Sequence, residues 1–386
     1  MTEYTKYSSM DYWFSYVLGN QRKEIIEKMY EALSTEIPKI VSIVGERNCN
    51  LQCQHCIFQK EQSSESISRA NGLAEAVRTI VKQMEPNLVV VHEGRIFRPA
   101  HLEWLQAIRK IRSDSRIGII DNGSYLRNID QIELSGFRFN WIDISIDGPR
   151  DMHNSQRNSK ASFAQALAGI KNAYRILSTD GEVNSLFTLT QINHKSILKA
   201  YEILPDEIKQ WHITTLTPAR PEIKYLALTE DEFFVSWDQI CQANLKHLIF
   251  FRSYVVDDLL KIAKATGKAN FLRAFQNAKV DFSSISFEVD GVQVVYYPQS
   301  VSTAETFLLD ADAYYRVPYS IAYTLDELNR GVSRHGENLE KYVIGKVDAS
   351  SSLKSLYEKG VAQWKNNFAK EALKKEVLIF KQIKTL

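Results

Sequence analysis

Three of the four cysteines in this chain lie within eight residues, at Cys49, Cys53 and Cys56, in a C-x3-C-x2-C spacing. Thiolates are soft ligands that favour iron–sulfur clusters, zinc or Cu(I). Three thiolates on one loop can bind three irons of a [4Fe–4S] cluster and leave the fourth iron open, whereas four cysteines close the site. The spacing therefore predicts a metal centre with one coordination position available for chemistry.

Two other uses of these cysteines are alternatives to a cluster. A structural zinc site is four-coordinate and needs a fourth ligand, for which His55 and Cys241 are the candidates. A disulfide framework is typical of short extracellular chains, and this chain has 386 residues and no secretory segment at its amino terminus. The iron–sulfur interpretation is preferred over both.

Residues 49–56 (CNLQCQHC) resemble the "CNLxCxHC" cluster loop of the radical S-adenosylmethionine (radical SAM) superfamily, although Ile57 stands where an aromatic residue is frequent. The resemblance implies two cofactors, a [4Fe–4S] cluster and S-adenosylmethionine (SAM). In that family the amino and carboxylate groups of SAM bind the open iron. Reductive cleavage of SAM then gives a 5′-deoxyadenosyl radical, which takes a hydrogen atom from the substrate.

Strands and helices alternate after residue 38. Six β-rich runs are predicted at 39–45, 88–92, 116–121, 141–146, 185–191 and 211–215, with helices at 70–84, 100–111, 162–177 and 195–203. This alternation indicates an α/β protein built from parallel βαβ units, but it does not separate an open sheet from a barrel. The radical SAM resemblance implies a partial (β/α)6 TIM-like barrel with its site at the carboxyl ends of the strands.

A carboxylate follows the second predicted strand. Glu93 matches the glutamate of the family's "GGEP" segment, which binds the SAM amino group, and a carboxylate is a good partner for an ammonium. His92 and the Gly94-Arg95 pair depart from that segment. The alternative for Glu93 is a solvated carboxylate in a surface turn.

Residues 145–157, after the fourth predicted strand, resemble the "SxDGPxxxHDxxR" segment of the SPASM/twitch branch of the superfamily, with Asn154 in place of its aspartate. The resemblance implies that Ser145 and Arg157 bind the SAM carboxylate or ribose, with Asp147 nearby. An arginine fork suits a carboxylate. The alternative is an ordinary Asp-Gly-Pro turn in which Asp147 caps the next helix.

Later strand ends carry further candidates. Asn193 follows the fifth predicted strand and is a candidate SAM contact, and the resemblance implies that backbone near Leu216, after the sixth, contacts adenine. The segment Asp121–Ser124 is similar to the family's "TNG" turn. Since Asn-Gly is a turn signal on its own, a turn is the prediction there.

The fourth cysteine lies in a predicted helix over Thr229–Leu248, which opens with a capping-box pattern of Thr229 and Glu232. A buried free cysteine usually behaves as a small hydrophobic residue. The sharper hypothesis is that Cys241 donates a hydrogen atom to a substrate radical, as a lone cysteine after the barrel does in some radical SAM epimerases.

The predicted domain organisation has four parts: an amino-terminal helical segment (1–38), a radical SAM core (39–225), a helical linker (226–282) and a SPASM/twitch-like α+β domain (283–386). The last part begins with a predicted hairpin, two apolar runs joined by Asp290-Gly291. Residues 283–386 contain no cysteine. The ligand count therefore predicts one cluster and no auxiliary cluster, which favours redox-neutral chemistry.

The composition excludes several classes of protein. A net charge of +2 gives no indication of a nucleic-acid or membrane surface, and no apolar run approaches the roughly 18 residues of a membrane span. The amino terminus lacks the basic and apolar regions of a signal peptide, so a cytoplasmic location is expected.

The sequence thus predicts an enzyme acting on a small natural-product intermediate, such as a sugar, an aminocyclitol or an amino-acid derivative. Its expected partner is a one-electron donor such as flavodoxin or ferredoxin. A ribosomal peptide is the alternative substrate. The 38 residues before the core look too short for the leader-binding module that peptide enzymes often carry. The non-enzyme alternative is a metal-binding sensor or scaffold.

Overall fold

The computed structural model describes residues 9–19, 22–35, 40–44, 49–56, 67–92, 99–126, 129–216, 221–243, 247–281, 283–301, 306–310, 314–316 and 343–386. Parallel strands in chain order form its centre. They are β1 (Ile40–Val44), β2 (Leu88–His92), β3 (Arg116–Asp121), β4 (Phe139–Ser145), β5 (Leu177–Leu189), β6 (Gln210–Thr215) and β7 (Leu248–Ser253). The α/β class and the parallel order of a partial barrel are confirmed.

Helices connect these strands and flank the sheet. The described helices are α1 (Ser9–Leu18), α2 (Lys23–Thr35), α3 (Ile67–Met84), α4 (Pro99–Ile111), α5 (Asp130–Ser135), α6 (Arg150–Gln156), α7 (Ser162–Ala173), α8 (Ile197–Glu202), α9 (Glu230–Gln242), α10 (Val256–Thr266), α11 (Lys268–Gln276), α12 (Leu353–Trp364) and α13 (Lys370–Thr385). The capping box predicted at Thr229 and Glu232 is present at the start of α9. No described helix has both the length and the apolar composition of a membrane span.

The later strands extend both edges of the same sheet. They are β8 (Lys279–Val280), β9 (Ile285–Val289), β10 (Val292–Tyr296), β11 (Thr306–Asp310), β12 (Tyr314–Arg316) and β13 (Val343–Lys346). The predicted hairpin is confirmed as β9 and β10, and β10 pairs in parallel with β7. At the other edge β11 pairs in parallel with β1. The bounds of the four predicted domains stay a prediction.

One helix prediction extends too far at its carboxyl end. The helix that begins at Thr229 ends at Gln242 instead of Leu248, and the run Leu248–Ser253 forms β7. The sequence LIFFRS is β-branched and aromatic, and it pairs with β6 through five residues. A short apolar run of this kind cannot be assigned from its periodicity alone, so the pairing with a neighbouring strand decided its structure.

The two faces of the sheet differ in chemistry because successive side chains of a strand point to opposite sides. The helix-facing side is apolar and closed: Ile142, Ile144, Val183, Phe187, Trp211, Ile213, Ile249 and Phe251 are each 1% exposed or less. The other side, called the inner face below, carries the alternate residues. From β4 to β7 these include Asp143, Asn184, His212 and Arg252. The polar residues therefore lie where a barrel has its interior.

The two ends of the chain pack together. Trp13 of α1 donates a hydrogen bond to Glu376 of α13 at 2.6 Å, and the Tyr357 hydroxyl donates to the backbone oxygen of Leu33 at 3.0 Å. Lys384 donates to the last carbonyls of α1. Both α1 and α2 lie in the segment predicted to be helical, and α2 packs against α12.

Candidate active site

The cysteine loop follows β1 and is attached to the end of α6. The backbone N–H of Gln54 donates to the Gln156 carbonyl at 2.9 Å, and its side-chain amide donates to the Ser155 carbonyl at 2.9 Å. Leu51 is buried beneath the loop. Cys49, Cys53 and Cys56 are half-buried and are not joined in disulfides. The fold therefore presents these three cysteines at the edge where the parallel strands end.

Asn122 is the residue after β3 and contacts the first cysteine. Its side-chain nitrogen lies 3.5 Å from Cys49 Sγ and 3.1 Å from Asn50 Oδ1. Asn50 in turn donates to Ser124 Oγ at 2.9 Å, and the N–H of Leu51 points to Cys49 Sγ at 3.5 Å. The predicted turn at Asn122 is confirmed, since its side-chain oxygen accepts the N–H of Ser124. Sequence reasoning missed its amide, which faces Cys49.

Arg157 links the second cysteine to a buried carboxylate. Its Nη1 lies 3.8 Å from Cys53 Sγ, and its Nε lies 2.5 Å from Asp147 Oδ2. The other oxygen of Asp147 accepts the backbone N–H of Thr188 at 3.1 Å. Burial by itself would raise the pKa of Asp147, but the Arg157 guanidinium, with lesser help from His55 and His153, lowers it to about 2. Two residues predicted from one motif are thus a charged pair beside the cluster loop.

The histidines around this pair are neutral at pH 7. Burial lowers the pKa of His153 to about 4, against the opposing effect of Asp147. His153 Nδ1 accepts the backbone N–H of Asp147 at 3.0 Å, so this nitrogen carries no proton. Burial also lowers the pKa of His55 to about 4. The neutral imidazole of His153 therefore holds the Asp147 turn by accepting its backbone N–H.

The remaining predicted SAM contacts lie near the same strand ends. Ser145 ends β4, is 9% exposed, and makes no hydrogen bond through its hydroxyl among the described residues. Asn193 is fully buried: its nitrogen donates to the carbonyls of Asp147 and Thr188, and its oxygen accepts the N–H of Thr190. Asn193 therefore positions the Asp147 turn, and its contact with SAM stays a prediction.

Two further residues predicted to contact SAM are Leu216 and Glu93. Leu216 follows β6 and packs with Ile223, Leu226 and Ile192 in a small apolar cluster, so a contact with adenine through its backbone stays a prediction. Glu93 lies outside the described residues, and its role also stays a prediction.

Cys241 lies on the helix side of the sheet. Its helix, α9, packs through Phe233 and Trp237 against Phe251, which points away from the inner face. Burial, with smaller effects from Asp290 and Asp238, raises the pKa of the Cys241 thiol to about 12. Cys241 is half-buried and packs against the hydrophobic core. Its role as a hydrogen-atom donor stays a prediction.

The donor set fits a [4Fe–4S] cluster. Cys49, Cys53 and Cys56 supply three thiols from one loop, and N–H groups of Asn122 and Arg157 face two of the sulfurs. Hydrogen bonds to cluster sulfurs are a known means of setting the reduction potential. Among the described residues, no three His, Cys, Asp or Glu side chains are grouped as ligands of one ion. A cluster needs no such grouping, because each cysteine binds a different iron.

Comparison with known proteins agrees with this geometry. Residues 43–204 match the family model of the Radical SAM superfamily. The cofactors of the superfamily are the two predicted from the sequence, a [4Fe–4S] cluster and SAM. A curated relative, Fe-coproporphyrin III synthase of Methanosarcina barkeri, is 23% identical over 162 residues. The match covers 42% of this chain and only 39% of that protein.

Solved structures share the fold over most of the chain. Native anSMEcpe with bound AdoMet superposes with a TM-score of 0.53 at 14% identity, covering 83% of this chain and 82% of that one. Streptococcus suis SuiB bound to the precursor peptide SuiA gives a TM-score of 0.52 at 11% identity, covering 86% and 70%. At these identities the likeness shows the fold alone.

Proposed function

We propose that this protein is an enzyme that holds one [4Fe–4S] cluster on Cys49, Cys53 and Cys56 and binds SAM at the carboxyl ends of the parallel strands. With the cluster and SAM bound, the site supplies a 5′-deoxyadenosyl radical for hydrogen abstraction. The substrate is a small natural-product intermediate, and the net reaction is redox-neutral. The electron donor is a flavodoxin or a ferredoxin.

The observation that carries the proposal is the attachment of the cysteine loop to the strand-end motif. Arg157 contacts Cys53, which is 104 positions away in the sequence, and Asp147, which is 10 positions away. This buried ion pair joins the cysteine loop to the loop after β4. An enzyme needs such a fixed arrangement, because the cofactor must be held in one orientation toward the substrate.

The redox-neutral assignment is supported by the cysteine count. The chain has four cysteines, and the one outside the loop, Cys241, lies in α9. Auxiliary clusters can accept an electron from a substrate radical, and they need thiolate ligands. Residues 283–386 offer none. Return of a hydrogen atom, epimerisation or rearrangement therefore fits the ligand set better than net oxidation.

A ribosomal peptide is the second candidate substrate. The fold likeness to SuiB with its precursor peptide, and to anSMEcpe with a bound Cp18Cys peptide, supports it. Those ligands belong to those proteins. The polar inner face of this chain, with charged groups buried at its centre, supports the small polar substrate instead.

The test is anaerobic reconstitution with iron and sulfide, followed by SAM and dithionite. We expect about four irons per chain and formation of 5′-deoxyadenosine, as one cluster of this type requires. The triple variant Cys49→Ala, Cys53→Ala, Cys56→Ala should bind no cluster and form no 5′-deoxyadenosine. Cys241→Ser is the matched control for iron content and should keep all of it.

Two results would contradict the proposal. Zinc in place of iron in the wild-type protein would favour the structural-metal alternative. A full cluster without SAM cleavage would favour a sensor or scaffold.

A further inference from the structure

A continuous set of polar side chains lies on the inner face of β4, β5 and β6. Asn184 Nδ2 donates to Asp143 Oδ1 at 3.1 Å and lies 3.5 Å from Glu182 Oε1. Gln210 Nε2 donates to the same Glu182 oxygen at 3.0 Å, and Gln210 Oε1 lies 2.8 Å from His212 Nε2. Three strands thus share one hydrogen-bonded network within the sheet interior.

The carboxylates fix the orientation of the other groups. Burial raises the pKa of Asp143, against the effects of Arg252 and of the hydrogen bond from Asn184. Asn184 Nδ2 faces Asp143 and Glu182, so the oxygen of Asn184 faces away from them. The nitrogen of Gln210 likewise faces Glu182, so its oxygen faces His212, whose Nε2 must carry the proton. Burial and, to a lesser degree, the nearby Arg252 charge lower the pKa of His212 well below its usual value. The ring is neutral, and its Nδ1 is a bare acceptor.

Two acceptors of this network have no hydrogen-bond partner. Asn184 Oδ1 and His212 Nδ1 are buried and unpartnered among the described residues. The residues themselves are 2% and 3% exposed. A buried polar atom normally finds a partner, since leaving it unpaired costs about 1–3 kcal/mol. Both atoms are hydrogen-bond acceptors, so the partner that each of them lacks is an N–H or O–H donor.

Arg252 of β7 is on the same inner face, and not all of its N–H donors are used by its recorded partners. Its Nη1 lies 4.0 Å from Asp143 Oδ2, longer than a hydrogen bond, and a quarter of its side chain is exposed. Tyr254, stacked on Tyr297 at 4.8 Å, is a side-chain hydrogen-bond partner of Arg252. A guanidinium carries five N–H donors in a fork that matches a carboxylate.

We propose that Asn184, His212 and Arg252 form a substrate subsite for a carboxylate flanked by an N–H donor, the chemistry of an amino acid. Arg252 binds the carboxylate, and the two unpartnered acceptors receive the N–H groups. The inference rests on the proposed function and narrows its substrate class. A neutral sugar or aminocyclitol has no anionic group for Arg252. A free amino acid and the carboxyl-terminal residue of a peptide share the recognised chemistry.

The test measures ligand affinity on the reconstituted wild-type protein with SAM, by calorimetry. The probes are the twenty L-amino acids, the amide of each, the glycyl dipeptide of each, and glucosamine. We expect at least one acid to bind at least about 10-fold more tightly than its amide, since a charge-assisted bidentate pair is lost with the carboxylate. Tighter binding of the dipeptide than of the amino acid would identify a peptide terminus as the source.

Substitutions of Arg252 test whether this residue causes the preference for an acid over its amide. Arg252→Met should weaken the best acid about 10- to 100-fold, and Arg252→Lys should fall between, because it keeps the charge and loses the fork. Arg175→Met, which removes an exposed arginine paired with Glu133, should leave the affinity unchanged. Circular dichroism of each variant checks that it is folded.

The inference is overturned if no acid binds more tightly than its amide, if glucosamine binds more tightly than every acid, or if Arg252→Met keeps the acid preference. These outcomes are distinct from failure of the proposed function. If the proposed function failed, the wild-type protein would lack the cluster or would not form 5′-deoxyadenosine. If only this inference failed, the cluster and 5′-deoxyadenosine formation would both be present, and the carboxylate preference would be absent.

Discussion

At the scale of single residues, the site depends on one buried ion pair. Asp147 has no exposed surface and Arg157 is nearly as buried, so each charge is stable there only because of the other. Arg157 also reaches Cys53. The Asp147–Arg157 pair therefore stabilises the strand-end loop and also contacts the cysteine loop at Cys53.

Asp147→Asn should cost about 3–5 kcal/mol in the free energy of unfolding of the cluster-free protein, because it leaves the Arg157 charge buried and unpaired. Urea denaturation measures this. Asp114→Asn is the matched control. Its carboxylate pairs with Arg112 at 3.0 Å but is 72% exposed, so its loss should cost less than about 1 kcal/mol. Equal costs for the two variants would show that the Asp147 pair is not energetically buried.

His153 should make stability depend on pH. Its pKa is about 4 in the folded protein and about 6.5 when unfolded, so the unfolded state binds more protons between these values. The stabilisation is fully present above about pH 6.5 and is lost as pH falls toward 4, by up to about 3 kcal/mol. His153→Gln keeps an acceptor for the Asp147 N–H and should flatten the decline. An unchanged pH profile in this variant would assign the decline to other groups.

At the scale of secondary-structure elements, β3 and β4 are fitted together at one glycine. A Cβ at Gly118 would overlap the indole ring of Trp141, its cross-strand neighbour on the inner face. The Arg116 guanidinium lies 5.7 Å from the same ring. The strand pair therefore depends on a residue without a side chain at this position.

Gly118→Ala should destabilise the protein by about 1–3 kcal/mol or more through overpacking, measured by thermal or urea unfolding. Gly72→Ala is the control. Gly72 lies in α3 with open space at its Cβ, so alanine there should stabilise by about 0.5–1 kcal/mol through helix propensity. Trp141→Leu in the Gly118→Ala background should recover part of the loss. No coupling between the two substitutions would contradict the contact.

At the scale of the whole molecule, a buried carboxylate holds the two ends of the chain to the sheet. Glu376 of α13 accepts hydrogen bonds from Trp13 of α1, from the Tyr296 hydroxyl at the end of β10, and from the N–H and hydroxyl of Ser300. Burial raises its pKa, and these four donors act against that shift. Segments more than 360 residues apart thus share one acceptor.

Glu376→Ala should cost at least about 3 kcal/mol, since several buried donors lose their acceptor together. Limited proteolysis should then cut near α1 faster than in the wild-type protein. Glu371→Ala on the same helix removes an exposed carboxylate paired with Lys374 and should change stability by less than about 0.5 kcal/mol. Unchanged protection of α1 in the Glu376 variant would show that other contacts suffice to hold it.

The sequence by itself determined the local features of this protein. The spacing of Cys49, Cys53 and Cys56 predicts a cluster loop because ligand type and spacing are encoded directly in the chain. The alternation of β-rich and helical runs predicts the parallel α/β core, and Asp290-Gly291 predicts the β9–β10 hairpin. Each of these signals acts within a few residues, so no distant contact is needed to interpret it.

Only the tertiary structure decided which of these features meet. The pairing of Arg157 with Asp147 and Cys53, and the meeting of Asn122 with Cys49, join loops that follow different strands. The run Leu248–Ser253 became a strand because it lies beside β6. That pairing placed Arg252 on the inner face, opposite Asp143. Such contacts depend on strand order and on which face each residue occupies, and neither is encoded by spacing along the chain.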